Sequence, residues 1–270
     1  MDLGLAGAAV VVSGGSKGMG RAAAEAFAVE GARVAVLARG AAALDETVGQ
    51  LEGLGATDAV ALQADLTQAD SIEAAFETVR DRWGELHVLV NAAGPVDVGI
   101  GGLEALDDAE WAATFDIGTL SAVRCVRAAL PLLRAAGWAR IVNVSAHSTK
   151  RQSSSLVAYT AAKAALTSLS KNLSLSLGPE GILVNTVSPG SFLSEALRGY
   201  VLSLPPERRA DPDDLYDVMR IIEEDFGHPA HLGRAGDPNE IGAVIAFVGS
   251  QRNTYMTGAN INVDGGSDFC

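Results

Sequence analysis

Ala9-Val10-Val11-Val12-Ser13-Gly14-Gly15-Ser16-Lys17-Gly18-Met19-Gly20 decides how this chain folds. Four apolar residues in a row, without polar alternation, suit a parallel strand buried on both faces. Glycines follow at once, and an alanine-rich helical pattern runs over 18–30. A strand that turns on glycines into a helix N-terminus lets the backbone approach a pyrophosphate, which the helix end attracts. An ordinary tight turn would use the same residues, but the position after the first strand points to a dinucleotide. Gly14, Ser16, Lys17, Gly18, Met19 and Gly20 are therefore candidate cofactor-binding residues.

Outward from this stretch, short apolar runs recur at 34–37, 60–62, 88–90, 141–144, 182–184 and 261–263. Helical patterns lie between them at 41–54, 71–83, 107–133, 155–177 and 239–248. The alternation predicts an α/β fold: a single Rossmann-type, doubly wound domain over 1–270, with a seven-stranded parallel sheet and helices on both faces. The segment 194–236 breaks the rhythm, with Leu204-Pro205-Pro206 and the acidic stretch Asp211-Pro212-Asp213-Asp214. It is expected to form one or two short helices and to act as a substrate lid, with an oligomer contact or a tolerated insertion as alternatives.

With 270 residues, 48% of them hydrophobic, the chain can bury the core of one large α/β domain. Its formal charge of −13 argues against nucleic acid or an anionic membrane as a partner. Cys125 lies in an apolar helical run and Cys270 is the last residue, so no disulfide framework is expected. Asp225, His228 and His231 share a loop with Pro229 and lack a zinc spacing, so no metal is expected either. Residues 1–7 carry no basic segment leading into an apolar one, and no apolar run reaches membrane-span length. The expectation is a soluble, cytoplasmic protein.

Tyr159-Thr160-Ala161-Ala162-Lys163 places a phenol and an ammonium at i and i+4, on one helix face. A nearby positive charge lowers a phenol pKa, which makes Tyr159 a candidate general acid/base and Lys163 its partner. Taken with the glycine turn, this spacing resembles the short-chain dehydrogenase/reductase family along essentially the whole chain. Further marks follow in order: Asp65-Leu66, Asn91-Ala92-Ala93-Gly94, Ser188-Pro189-Gly190 and Val263-Asp264-Gly265-Gly266. The resemblance implies that Asp65, beside Leu66, meets the adenine. It implies that the turn of Asn91, Ala92, Ala93 and Gly94 backs the adenine ribose. Pro189 and Gly190 would pass the nicotinamide, with Phe192 beyond them and Ser194 where the family usually has a contacting Thr. Tyr159 would exchange a proton with the substrate oxygen while Lys163 holds the nicotinamide ribose. Hydride would pass between cofactor and carbonyl carbon. Family members are commonly homotetramers, built on helices matching 107–133 and 155–177.

The second strand ends Val36-Leu37-Ala38-Arg39, without the carboxylate that holds a ribose 2′-hydroxyl in NAD enzymes. Arg39 and Lys17 could converge on a 2′-phosphate, so the expected cofactor is NADP(H). Two positions depart from the family pattern. The substrate-orienting Ser usually lies thirteen residues before the Tyr, where this chain has Ala146, flanked by Ser145 and Ser148. Strand alternation turns Ser145 away from the face of Ala146, whereas Ser148 shares its parity but lies past the strand end. Either hydroxyl could serve, and either could cap the loop. His147 could assist the substrate oxygen or simply bond to backbone. Gly118 stands where the family commonly has an Asn of the proton relay, with Asp116 and Thr119 as possible substitutes. The expected function is an NADP(H)-dependent oxidoreductase for a small carbonyl/secondary alcohol pair. A cofactor-binding protein with little catalysis and a conjugated double-bond reductase are the alternatives.

Overall fold

The computed structural model describes residues 2–95, 98–208 and 210–267. Its sheet comprises β1 (Ala9–Ser13), β2 (Arg33–Ala38), β3 (Asp58–Gln63), β4 (Val88–Asn91), β5 (Ala139–Val144), β6 (Ile182–Pro189) and β7 (Asn260–Val263). All neighbours pair in parallel, in the order β3-β2-β1-β4-β5-β6-β7. The chain leaves β1 outward through β2 and β3, then returns to place β4 on the other side of β1. This reversal opens a crevice over the C-terminal ends of β1 and β4, where doubly wound sheets bind ligands. The seven-stranded, doubly wound sheet read from the sequence is present.

Side-chain alternation sends successive strand residues to opposite faces, so each face builds its own core. On one face Val10, Val12, Val34, Val36, Val88 and Val142 pack with Phe27 of α1 (Gly18–Val29) and Ile241 and Ile245 of α9 (Pro238–Val248). On the other face Val11, Leu37, Leu89 and Ile141 pack with Phe76 of α3 (Ala69–Trp83) and Leu132 and Leu133 of α5 (Ser121–Ala135). The remaining long helices are α2 (Ala41–Leu54) and α6 (Val157–Leu177).

The helix expected over 107–133 is divided. Asp107 opens α4 (Asp108–Phe115) with a capping box to Glu110, and a π-turn over Asp116–Leu120 precedes α5. The division falls where Gly118 meets α6: a Cβ on Gly118 would lie 3.0 Å from the Ala162 Cβ. β6 also runs well past the expected 182–184. Its second half is polar but satisfied, with Asn185 donating to the Met256 carbonyl and Ser188 to Asn260.

Between β6 and α9 the excursion forms α7 (Glu195–Ser203), a 3-10 turn over Pro206–Arg208, and α8 (Leu215–Phe226). Val201, Val218, Met219, Ile221 and Ile222 give it a small apolar cluster separate from the two sheet-face cores. No helix among the described residues is long and apolar enough to cross a membrane.

Candidate active site

Steric contact between backbones shapes the crevice floor. Gly14 has φ +72°, and a Cβ there would sit 2.7 Å from the Ala93 nitrogen, so the turns after β1 and β4 touch. A Cβ on Gly20 would come within 2.2 Å of the Gly14 carbonyl oxygen, which locks α1 onto the first turn. Lys17 at the N-cap of α1 supplies no side-chain cap, leaving the first amides of that helix for an anion. Ser16 and Gly18 complete the turn, Met19 packs against the core behind it, and Ala92 and Gly94 flank Ala93 on the second turn. A cavity beside the start of α1 is lined by Gly18, Arg21, Ser194, Glu195 and Arg198.

Asp65 follows β3 and accepts hydrogen bonds from the Thr67 amide (2.9 Å) and hydroxyl (2.8 Å). Those bonds, helped by Arg39 and Arg124, hold its carboxyl below the usual range. Leu66 beside it is buried, and its carbonyl accepts from Arg124. The signature for Thr67 was present in the sequence, since an Asp followed two residues on by a hydroxyl forms an Asx-type turn. Arg39 is exposed at the end of β2. Lys17, by contrast, is paired with Glu195 of α7 at 2.7 Å, and that carboxylate raises its pKa.

At the other side of the crevice, Tyr159 stands on the first turn of α6, with Lys163 one turn further along. Lys163 is buried, and its Nζ donates to the Val144 carbonyl at 2.8 Å. The same Nζ would lie 3.2 Å from a Cβ on Gly94, so the second turn leans on it. Burial pushes the Tyr159 phenol up to about 12 and Lys163 down to about 8. This reverses the expected effect on the phenol, because loss of solvent disfavours the phenolate.

The two serines separate cleanly. Ser145 turns toward α6, where its hydroxyl donates to the Lys163 carbonyl (3.0 Å) and meets the Thr167 hydroxyl (2.8 Å). Ser148 lies on the 3-10 turn His147–Thr149, is 4% exposed, and its Oγ has no hydrogen-bond partner among the described residues. His147 Nδ1 lies 3.0 Å from the Pro189 carbonyl, and its ring meets His228 edge-on at 6.0 Å. Burial, Arg151 and His147 lower the His228 pKa. Gly190 passes Asp264 so closely that a Cβ would fall 2.6 Å from its Cα. Phe192 is buried against Gly236, and Ser194 caps α7 by accepting from the Leu197 amide. Of the substitutes for an Asn at 118, Thr119 donates to the Ala162 carbonyl at 2.7 Å and Asp116 pairs with Arg124 at 2.6 Å.

A family model described as enoyl-(acyl carrier protein) reductase matches residues 14–268. The chain belongs to the short-chain dehydrogenase/reductase family. It is 31% identical over 263 residues to a 3-alpha-(or 20-beta)-hydroxysteroid dehydrogenase of Mycobacterium tuberculosis, covering 97% of this chain and 90% of that protein. It is 32% identical over 261 residues to the trans-4-hydroxycyclohexanecarboxylate dehydrogenase of Sinomonas cyclohexanicum, covering 95% and 91%. Among solved structures, L-sorbose reductase from Gluconobacter frateurii, complexed with NADPH and L-sorbose, superposes with a TM-score of 0.90. Identity there is 28%, over 99% of this chain and 98% of that one. Pseudomonas aeruginosa RhlG with NADP gives 0.85 at 29% identity, over 98% of each chain. These likenesses make the protein an oxidoreductase of the hydride-transferring kind, with a nicotinamide cofactor.

Proposed function

We propose that the protein is an NADP(H)-dependent reductase of a small carbonyl compound, working reversibly on the matching secondary alcohol. When bound, the reduced nicotinamide supplies hydride to the carbonyl carbon. The residues present suit such a group, because the α1 amides are uncapped and the space beside Gly18, at the start of that helix, is open. In this reading those amides, with Ser16, Gly18 and Met19, hold the pyrophosphate. Asp65 and Leu66 meet the adenine, and Asn91, Ala92, Ala93 and Gly94 back its ribose. Arg39 holds the 2′-phosphate, joined by Lys17 when Glu195 releases it. Pro189, Gly190, Phe192 and Ser194 line the nicotinamide end.

The observation that carries the chemistry is Tyr159 one helical turn from the buried Lys163, with the buried Ser148 hydroxyl, unpartnered among the described residues, on the turn after β5. Tyr159 gives its proton to the carbonyl oxygen as hydride reaches the carbon, and Ser148 donates a hydrogen bond to that oxygen. Lys163 then stabilises the phenolate until a proton returns. Ser145 is a positioning residue, holding the Lys163 backbone rather than the substrate. The excursion 194–236 covers the substrate as a lid. The assembly is a cytoplasmic homotetramer on α4–α5 and α6, where Leu120 and Leu175 expose apolar surface. Light scattering tests that state directly.

Catalysis is tested by following NADPH oxidation across a panel of cyclic and acyclic ketones. Tyr159→Phe should lower kcat about 10³-fold, the range of a lost general acid. Ser148→Ala should cost about 10-fold or more, the loss of one hydrogen bond to developing charge. Unchanged turnover in Tyr159→Phe rejects the assignment of the acid. Arg39→Ala should weaken NADPH about 10-fold while leaving NADH alone. The family model's own description favours one second reading, reduction of a conjugated double bond. Product analysis with an enone separates the two: an allylic alcohol supports carbonyl reduction and a saturated ketone the alternative.

A further inference from the structure

Ser13, Asn91 and Asn143 form one row across the sheet, because Ser13 pairs in register with Asn91 and Asn91 with Asn143. Side chains on one row of adjacent parallel strands stand about 4.8 Å apart, within reach of one another. All three are buried, and the buried Thr186 of β6 continues the row beyond Asn143. The Ser13 hydroxyl donates to Asn91 Oδ1 (3.3 Å), and Asn91 Nδ2 to Asn143 Oδ1 (2.8 Å). Asn143 Nδ2 donates to Ser170 Oγ (2.8 Å), which in turn donates to the Leu166 carbonyl (2.8 Å). The two amides are coupled: flipping the Asn143 amide alone would set donor against donor at Asn91.

The row lies one residue before the cofactor turns at Gly14 and Ala92, and one before Val144, whose carbonyl holds Lys163. Its far end lies in α6, one to two turns beyond Lys163. A buried amide costs several kcal/mol unless bonded, so Val at 143, like its neighbours Val142 and Val144, would fill the strand more cheaply. A matched polar chain fixes distance and register in a way that apolar packing does not.

We propose that Asn143 is a positioning residue, which sets the spacing between the cofactor-carrying strand ends and the helix bearing Tyr159 and Lys163. This rests on the oxidoreductase reading above. Misplacement by about 1 Å costs about 10²-fold in rate, so a loosened link should act on kcat rather than on binding.

Ser170→Ala is the gentle test, removing one hydroxyl from a helix; Asn143→Leu is the stronger one. Ser170→Ala should lower kcat about tenfold, with the KM for carbonyl substrate and NADPH binding, read by fluorescence titration, little changed. The Tyr159 phenol, titrated by ultraviolet difference against Tyr159→Phe, should move by about half a pH unit or more. In an Asn143→Leu background, Ser170→Ala should add nothing, because the link is already cut. A kcat within twofold of wild type with an unmoved phenol titration overturns the proposal, whatever the melting temperature does. So does a second, multiplicative loss in the double variant. Should the wild-type protein reduce no carbonyl, the oxidoreductase reading fails, while the phenol and NADPH titrations still decide the positioning role.

Discussion

The glycine cradle and the excursion over 194–236, which we propose as a lid, both leave one sheet, yet opposite means hold them. In the cradle, backbone meets backbone: Gly14 against Ala93, and Gly20 against the Gly14 carbonyl. The lid has a separate apolar cluster and a belt of ion pairs. Arg208 binds Asp225 and Glu224, the Tyr200 hydroxyl donates to Asp225, Arg198 pairs with Asp213, and Arg220 with Asp217 and Glu224. Contacts of the first kind leave no slack. Exposed ion pairs are individually weak, and a small core opens at modest cost. A rigid cradle suits a cofactor of fixed shape, and an adjustable cover suits the variable partner.

The largest way to break this contrast is a single methyl group. Gly20→Ala would put a Cβ 2.2 Å from the Gly14 oxygen, which cannot retreat because Gly14 is itself against Ala93. Overpacking of this kind costs up to about 3 kcal/mol, so NADPH affinity should fall about 100-fold by fluorescence titration. The matched change in the lid, Gly199→Ala, meets nothing within 4 Å and should leave affinity unchanged. Equal losses from both would erase the distinction.

Charge separates the two regions as well. Arg198, Arg208 and Arg220 have carboxylate partners, whereas the buried Lys163 donates to a carbonyl and is pushed down from 10.5 to about 8. Below about pH 8 the lysine is charged in both states, and the fold bears the full cost of burying it. Between about 8 and 10.5 the unfolded chain binds the extra proton, so stability rises with pH, by on the order of 3 kcal/mol in total. Tyr159 acts oppositely: its phenol ionises near 10 when unfolded and near 12 when folded, so stability falls above 10. Denaturant melts should therefore show wild type gaining on Lys163→Met between pH 8 and 10. A flat difference would mean that Lys163 is hydrated.

These contrasts also explain what could be read before folding. β1, β2, β4 and β5 are covered on both faces, so each announced itself as an apolar run. β6 hid half its length because Asn185 and Ser188 are satisfied by residues more than seventy positions away. The π-turn at Gly118 was invisible for a similar reason: it depends on contact with Ala162, on a distant helix. Parity placed Ser145 opposite Ala146, and its hydroxyl indeed points to α6. Nothing local could show that the chain tightens into a 3-10 turn that leaves the Ser148 hydroxyl buried without a partner. The pairing of Lys17 with Glu195 was hidden for the same reason, since the two lie 178 residues apart.

The lid's apolar cluster offers a smaller effect. Ile222 is 4% exposed among Val201, Val218 and Met219. Ile222→Ala should cost about 2 kcal/mol locally. Amides of α8 should exchange faster while those of β1 and β4 keep their protection. The KM for carbonyl substrate should rise several-fold with NADPH affinity intact. A parallel loss of NADPH affinity would show that lid and cradle form one mechanical unit.

The smallest effect belongs to an ion pair that joins the two regions. Lys17 and Glu195 are both largely exposed, at 60% and 63% of their side chains. Such pairs are weak and screened by salt, so Glu195 competes only modestly with a phosphate for Lys17. Glu195→Gln should raise NADPH affinity by no more than about fivefold at low salt and leave NADH unaffected. The gain should fade as salt rises, because both the pair and the phosphate contact are screened. A loss of NADPH affinity would instead make Glu195 a support of the glycine turn, and the boundary between cradle and lid would then lie inside α7.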